Sequence, residues 1–358
     1  MARNGPGHFY RFSSWQSGGR GVALKFMKIS HVDPRLSWQG AISLETTPEF
    51  TRAWRIPFGK RALFDAALAE RASTNAGVRL AFASDTRRLE LHFAPCEGNF
   101  EVDLGVDGEI VSTLSTAGKC SLLWEALPAG EKRLEIWLSQ RHGLAVRGLE
   151  VDEGASFSAC RDTRPLWVTY GSSITHCGAA ASPSQTWPGV VARGADVNHY
   201  NLGFGGQCHL DIQMAQVIRD LPADVITIGA GINIYGSGSL NARSFPAALI
   251  GSVELIRERH PKTPIGLISP IFSYDRETRP NAVGWTLQDY RENVRLVVER
   301  LRAAGDLQVF YYDGLSLFDE SMGHLMPDQL HPDAEGYRQL GENFLKHIAP
   351  TLFAPLKR

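Results

Sequence analysis

Between Leu36 and Val151 apolar and polar residues alternate in short runs, as in Val78-Arg79-Leu80-Ala81-Phe82, Leu89-Glu90-Leu91-His92-Phe93 and Phe100-Glu101-Val102-Asp103-Leu104. A period of two puts one face of an extended chain inward and the other outward, so each run predicts a half-buried strand. The runs recur roughly every ten residues around turn signals such as Asp107-Gly108, a spacing that predicts an antiparallel β-sandwich, jelly-roll-like in outline. Ala62 to Ala72 is the exception and predicts a short helix. After Arg164 the alternation stops. Apolar runs at 166–170, 199–202, 225–228, 265–268 and 309–312 now alternate with amphipathic stretches, clearest at Phe245 to Arg259 and Leu287 to Ala304. Strand-then-helix rhythm predicts a parallel sheet covered on both faces, a three-layer α/β/α arrangement. Residues 1–36 are polar and rich in glycine, expected to be poorly ordered; the sandwich is then assigned to 37–160 and the α/β domain to 161–358.

Composition narrows the functions open to such a chain. Its 358 residues suffice for two domains, with 43% hydrophobic and 21% charged residues, a globular balance. With 37 basic against 38 acidic residues and no basic stripe, nucleic-acid binding is not expected. No apolar run approaches a membrane span, and none near the N-terminus resembles a signal peptide, so a cytoplasmic protein is expected. Five cysteines, Cys96, Cys120, Cys160, Cys177 and Cys208, have no Cys-x-x-Cys spacing and read as free thiols of a reducing compartment.

Four short motifs follow the predicted strands in order: Gly171-Ser172-Ser173-Ile174-Thr175, Asn201-Leu202-Gly203-Phe204-Gly205-Gly206, Gly231-Ile232-Asn233 and Asp328-Gln329-Leu330-His331-Pro332. In a parallel sheet ligands bind at the carboxyl ends of strands, where the first three motifs fall. Ser173 should open a helix, whose N-terminal N–H groups favour a developing negative charge; a capping serine is the other reading. His331 precedes a proline and so avoids helical conformation, while Pro332 can start the final helix. Asp328 can accept from its Nδ1–H, which leaves Nε2 facing a hydroxyl. Gly206 offers a backbone N–H and Asn233 an amide to an oxyanion. Together these supply a nucleophile, a base, an orienting carboxylate and oxyanion donors, a full set for acyl transfer.

The four motifs resemble the sequence blocks of the SGNH (GDSL-type) hydrolases over about 166–348. The resemblance implies a flavodoxin-like fold, a triad of Ser173, His331 and Asp328, and an oxyanion hole of the Ser173 N–H, the Gly206 N–H and the Asn233 side chain. Two positions depart from the pattern: Ser172 stands where the family has Asp, and Ile234 where an Asp usually follows the asparagine. A sandwich ahead of such a domain is similar to carbohydrate esterase family 2. That implies a serine esterase acting on acetyl or other short-chain esters of a carbohydrate, with no cofactor. A thioesterase, lactonase or acyltransferase using the same site, or an inactive carbohydrate-binding protein, are the alternatives.

Candidate substrate contacts are Trp187, as a sugar platform or a core residue, and Gln140, Arg141 and His142 at the end of a sandwich strand. His176-Cys177 and Cys208-His209 flank the motifs, but adjacent residues cannot easily both point inward, so no metal site is expected. The expected partner is a small-molecule or oligosaccharide ester. Oligomeric state is left open.

Overall fold

The computed structural model describes residues 25–356. Residues 1–24, most of the segment expected to be poorly ordered, lie outside them. The sandwich strands are β1 (Phe26–Ser30), β2 (Ser37–Gln39), β3 (Ser43–Thr46), β4 (Thr51–Trp54), β5 (Arg79–Ser84), β6 (Leu89–Phe93), β7 (Glu101–Val106), β8 (Glu109–Ser115), β9 (Ser121–Trp124), β10 (Lys132–Trp137) and β11 (Val146–Asp152). One sheet runs β3-β4-β11-β6-β9, with β1 also on β11, and the other β2-β5-β10-β7-β8. Every pairing is antiparallel. The alternation behaves as expected: Leu89, Leu91 and Phe93 of β6 are buried, with Glu90 and His92 between them only partly so. They meet Leu80, Phe82, Leu134 and Ile136 of the facing sheet in one apolar core.

Strand β1 corrects the reading of 1–36. Its pairing runs from Phe26 opposite Asp152 to Ser30 opposite Gly148, and Ile29 is buried. The partner lies more than a hundred residues away, so nothing local to this segment announces a strand. Between β4 and β5 lies α1 (Ala66–Ala72), capped by Asp65, whose carboxylate accepts from the N–H groups of Ala67 and Leu68.

The second half contains β12 (Leu166–Gly171), α2 (Ser173–His176), α3 (Trp187–Gly194), β13 (Asn198–Gly203), α4 (Ile212–Asp220), β14 (Val225–Gly229), α5 (Ile232–Ser237), α6 (Ser244–Arg257), β15 (Ile265–Ile268), α7 (Leu287–Ala303), β16 (Val309–Tyr312), α8 (Ala334–His347) and α9 (Ala349–Leu352). The strand order is β13-β12-β14-β15-β16 and all pairs are parallel. Numbered within this sheet the order is 2-1-3-4-5, the flavodoxin-like arrangement, with its switch point beside β12. Helix α7 opens with a capping box of Thr286 and Asp289. Asp333 caps α8, accepting from the Gly336 N–H at 2.8 Å, so Pro332 stands ahead of the cap rather than at the start of the helix.

The two halves share a core. Trp54, Ile56, Leu68 and Ala72, from the sandwich side, are buried with Val168, Leu202, Phe204 and Met214 of the α/β side. Arg55 crosses the seam fully buried. It donates to the carbonyls of Gly203 (2.6 Å), Asn201 (3.1 Å), Arg71 (2.6 Å) and Thr74 (2.9 Å). Its guanidinium also lies over the Phe204 ring, 4.8 Å from the centroid. Burial alone pushes its pKa down to about 9, and carbonyl oxygens rather than a carboxylate meet its charge.

Candidate active site

The loops after β12, β13 and β14 converge with the Asp328–His331 loop on an open cleft of about 520 Å³. The two adjacent serines part company here. Ser172 is buried and caps α2, its Oγ accepting from the Ile174 N–H at 3.2 Å. Ser173 Oγ faces the cleft and lies 2.8 Å from His331 Nε2. His331 Nδ1 lies 2.6 Å from Asp328 Oδ2. A carboxylate can only accept, so Nδ1 carries the proton, Nε2 is the acceptor and the Ser173 hydroxyl donates to it. Asp328 Oδ1 accepts in addition from the N–H groups of His331 (2.6 Å) and Leu330 (3.0 Å). Burial works to raise the Asp328 pKa, but these N–H donors and the imidazole hold it below the ordinary carboxylate value.

The loop carrying this pair turns through Gln329, at φ 63°, a left-handed conformation that costs a side-chain-bearing residue about 1 kcal/mol. Two groups hold it: the Gln329 carbonyl accepts from Ser273 Oγ at 3.1 Å and from Arg276 Nη1 at 3.2 Å. Neither residue belongs to a recognisable motif, and sequence reasoning missed both.

Gly206 and Asn233 line the same cleft. Gly206 has φ 73°, which glycine adopts without strain, and its N–H has no partner among the described residues. Asn233 Oδ1 accepts from the Cys208 N–H at 3.0 Å. That bond orients the amide and leaves its NH₂ for the cleft. Helix α2 is a single turn, so the macrodipole expected behind Ser173 is small. Close packing sets the loop positions: a methyl on Gly203 would collide with the backbone nitrogen of His176.

His176 links this apparatus to the sandwich. Its Nε2–H donates to the Gln140 carbonyl at 2.7 Å, and Nδ1 accepts, weakly at 3.4 Å, from the Gly205 N–H. Burial, and then the charge of Arg55, push its pKa down to about 3, so the ring is neutral. His176-Cys177 and Cys208-His209 do not converge: Cys177 Sγ donates to the Ile174 carbonyl, Cys208 Sγ to that of Gly229, and His209 bonds Ser239 and the Gly206 carbonyl. A group of ligand type, Glu90, His92 and Glu150, gathers instead on the sandwich, where Arg88 bonds Glu90 and Lys28 lies 3.8 Å from Glu150.

Of the expected substrate contacts, only Arg141 reaches the cleft. Trp187 is a core residue: it is 4% exposed, packs on Trp167 and Phe344, and donates its indole N–H to the Ile174 carbonyl. Gln140 is buried, its amide donating to the carbonyls of Cys177 and Ala180. His142 stacks on Phe100 at 4.5 Å. The three follow β10 in a turn whose Gln140 is buried and whose Arg141 is exposed, so only the latter faces the cleft. Arg71 and Thr74 also line it. They precede Ser173 by about a hundred residues, and no sequence signal joins them to the site.

Residues 164–349 match the model of the GDSL-like lipase/acylhydrolase family, and residues 36–147 that of the SsfX3 N-terminal domain. No curated protein matches the chain. Among solved structures, the salicylyl-acyltransferase SsfX3 from a tetracycline biosynthetic pathway is 33% identical, with a TM-score of 0.85 over 93% of this chain and 99% of its own. A GDSL-like lipase from Bacteroides ovatus, 18% identical, shares the fold at a TM-score of 0.72 over 92% of this chain and 98% of its own. A family two carbohydrate esterase from Cellvibrio japonicus, 14% identical, does so at 0.64 over 92% and 98%. With more than half of its length matched by that family model and a 33% identical relative aligned nearly end to end, the chain belongs to the GDSL-like lipase/acylhydrolase family.

Proposed function

We propose that the protein is a serine acylhydrolase that cleaves short-chain esters through an acyl-enzyme on Ser173. The observation that carries this reading is the unbroken hydrogen-bond path Ser173–His331–Asp328 at the wall of an open cleft. Ser173 Oγ attacks the ester carbonyl carbon while His331 Nε2 takes its proton. The negative oxygen of the tetrahedral intermediate is received by the N–H groups of Ser173 and Gly206 and by the Asn233 amide. As the carbon–oxygen bond to the alcohol breaks, His331 returns the proton to the leaving oxygen. Water, deprotonated by the same imidazole, then releases the acid. Asp328 keeps the imidazole in the required tautomer and stabilises its charged form. Residues 37–160, joined by strand β1 (Phe26–Ser30), and residues 161–358 are proposed as the sandwich and catalytic domains of this enzyme.

A carbohydrate as the alcohol part has only architectural likeness behind it: the carbohydrate esterase is 14% identical, and among the described residues no Trp, Tyr or Phe side chain lines the cleft. A second reading, acyl transfer to an alcohol or amine in place of water, is favoured by the 33% identity with a salicylyl-acyltransferase over 93% of the chain. Both share the acyl-enzyme and differ in what accepts the acyl group.

Release of p-nitrophenol from its acetate, butyrate and octanoate esters tests the shared step. Wild type should turn over the short esters, and Ser173→Ala should lose at least roughly 1,000-fold in kcat. Folded wild type inert towards all three esters would sink the hydrolase reading. Added acceptor alcohols that raise product release, and appear in the product, would select transfer over hydrolysis.

A further inference from the structure

The cleft has two walls of different origin. One carries Ser173, Gly206, Asn233 and His331; the other comes from the sandwich side and presents Arg71 and Arg141. Among the described residues the lining holds no carboxylate and no Trp, Tyr or Phe ring, so this wall offers no stacking platform for a neutral sugar face.

The two arginines are committed differently. Arg141 is ion-paired to Glu101 and donates to the Asn99 carbonyl at 2.9 Å. The Arg71 guanidinium makes no hydrogen bond among the described residues. Its nearest carboxylate, Glu70, is 3.8 Å away, with both side chains well exposed, a geometry that contributes little. Yet Arg71 is not loosely held. Its carbonyl accepts from Arg55 at 2.6 Å, and its stem passes close to Gly205 in the loop after β13. A methyl on Gly205 would stand 3.9 Å from Arg71 Cδ and 3.8 Å from Ser173 Cβ.

An uncommitted guanidinium, on an anchored backbone beside the nucleophile, offers donors in a planar fork that matches carboxylate and phosphate oxygens. The buried Arg55 adds potential of the same sign, whereas the charge of Arg141 is largely met by Glu101. Accepting the acyl-enzyme reading, we propose that the substrate carries an anionic group, a carboxylate or a phosphate, which Arg71 receives while the scissile carbonyl rests on Ser173. Arg71 is then a specificity residue supplied by the sandwich half, and the sandwich completes the substrate site.

Calorimetric titration with amides, which resist cleavage, tests this without requiring turnover. N-(4-nitrophenyl)succinamic acid carries the carboxylate on the acyl side, and 4-acetamidobenzoate carries it on the leaving side. The leaving-side phosphate probe is 4-acetamidophenyl phosphate, and 4-nitroacetanilide is the neutral reference. At least one anion should bind wild type tighter than the reference by roughly tenfold or more, as a charge-assisted pair implies. Which one does so locates the anion and names its chemistry. Arg71→Gln should remove that advantage, and Arg71→Lys should keep part of it. Equal binding of all four amides, no detectable binding of any anion at millimolar concentration, or an advantage that survives Arg71→Gln in folded protein would each overturn the proposal. Failure of the ester assay would strike the acyl-enzyme reading alone, since these affinities do not depend on chemistry at Ser173.

Discussion

Adjacent serines with opposite duties illustrate how much depends on single backbone positions. At the start of α2 the chain turns so that Ser172 points back to the Ile174 N–H and Ser173 points to His331. Ser172→Ala should therefore remove a cap, costing about 1 kcal/mol of stability, while ester turnover stays within a few-fold of wild type. Asp328→Asn changes no volume but offers an NH₂ or a weaker acceptor to His331 Nδ1, disfavouring the tautomer that can take the serine proton. We expect kcat to fall by roughly 10,000-fold with KM little changed. Steady-state kinetics on p-nitrophenyl acetate checks both. A dead Ser172→Ala beside an active Ser173→Ala would reverse the assignment.

At the level of elements, three consecutive parallel strands end at one level and deliver three loops to the switch point, while the fourth loop arrives from the segment ahead of α8. The βα loops are held by short strand–helix connections. The Asp328–His331 loop is longer-range in its support: Ser273 and Arg276, beyond β15, grip the carbonyl of Gln329. Arg276→Ala should loosen that grip and cost roughly tenfold in kcat, since a catalytic pair must be held within a fraction of an ångström. If crystal structures of Arg276→Ala showed the Ser173–His331 distance unchanged and kcat intact, the loop would be self-supporting. The motif Asp-x-x-His-Pro announces this loop in the sequence; its braces do not, because serine and arginine in an irregular segment carry no periodic signal.

Over the whole molecule the decisive feature is the seam. Two buried histidines sit there as acceptors of hydrogen bonds, His176 from the Gly205 N–H and His199 Nδ1 from Arg79 at 3.0 Å. Only a neutral ring can accept. Burial, with Arg79 beside it, holds the His199 pKa well below the usual value, as burial does for His176 at about 3. Unfolded imidazoles take up protons below about pH 6.5. The unfolded state then binds more protons than the folded one, so stability falls as pH drops from about 6.5 towards the depressed folded values. Each histidine contributes about 1.4 kcal/mol per pH unit, and above pH 6.5 neither contributes. The melting temperature should accordingly decline between about pH 6 and pH 4, and His199→Gln should flatten that decline. An unchanged slope in the variant would mean that the ring is already charged in the native state.

Much of this architecture was legible in the order of residues alone. The change from period two to a strand–helix rhythm near Arg164 announced a sandwich followed by a parallel α/β sheet, because side-chain direction follows local backbone geometry. The four motifs named the residues that meet at the cleft, since turn, pre-proline and strand-end chemistry is also local. Three things were decided only in three dimensions. Strand β1 depends on a partner more than a hundred residues away. Trp187 and Gln140, plausible as surface contacts, are buried where the layers press together, and the half-buried His142 is spent on a stack with Phe100. Arg55, Arg71 and Arg141 come to the loops of Ser173 and Gly206 only because the sandwich docks across the carboxyl end of the sheet. Docking is the sum of many long-range contacts, and no window of the chain contains it.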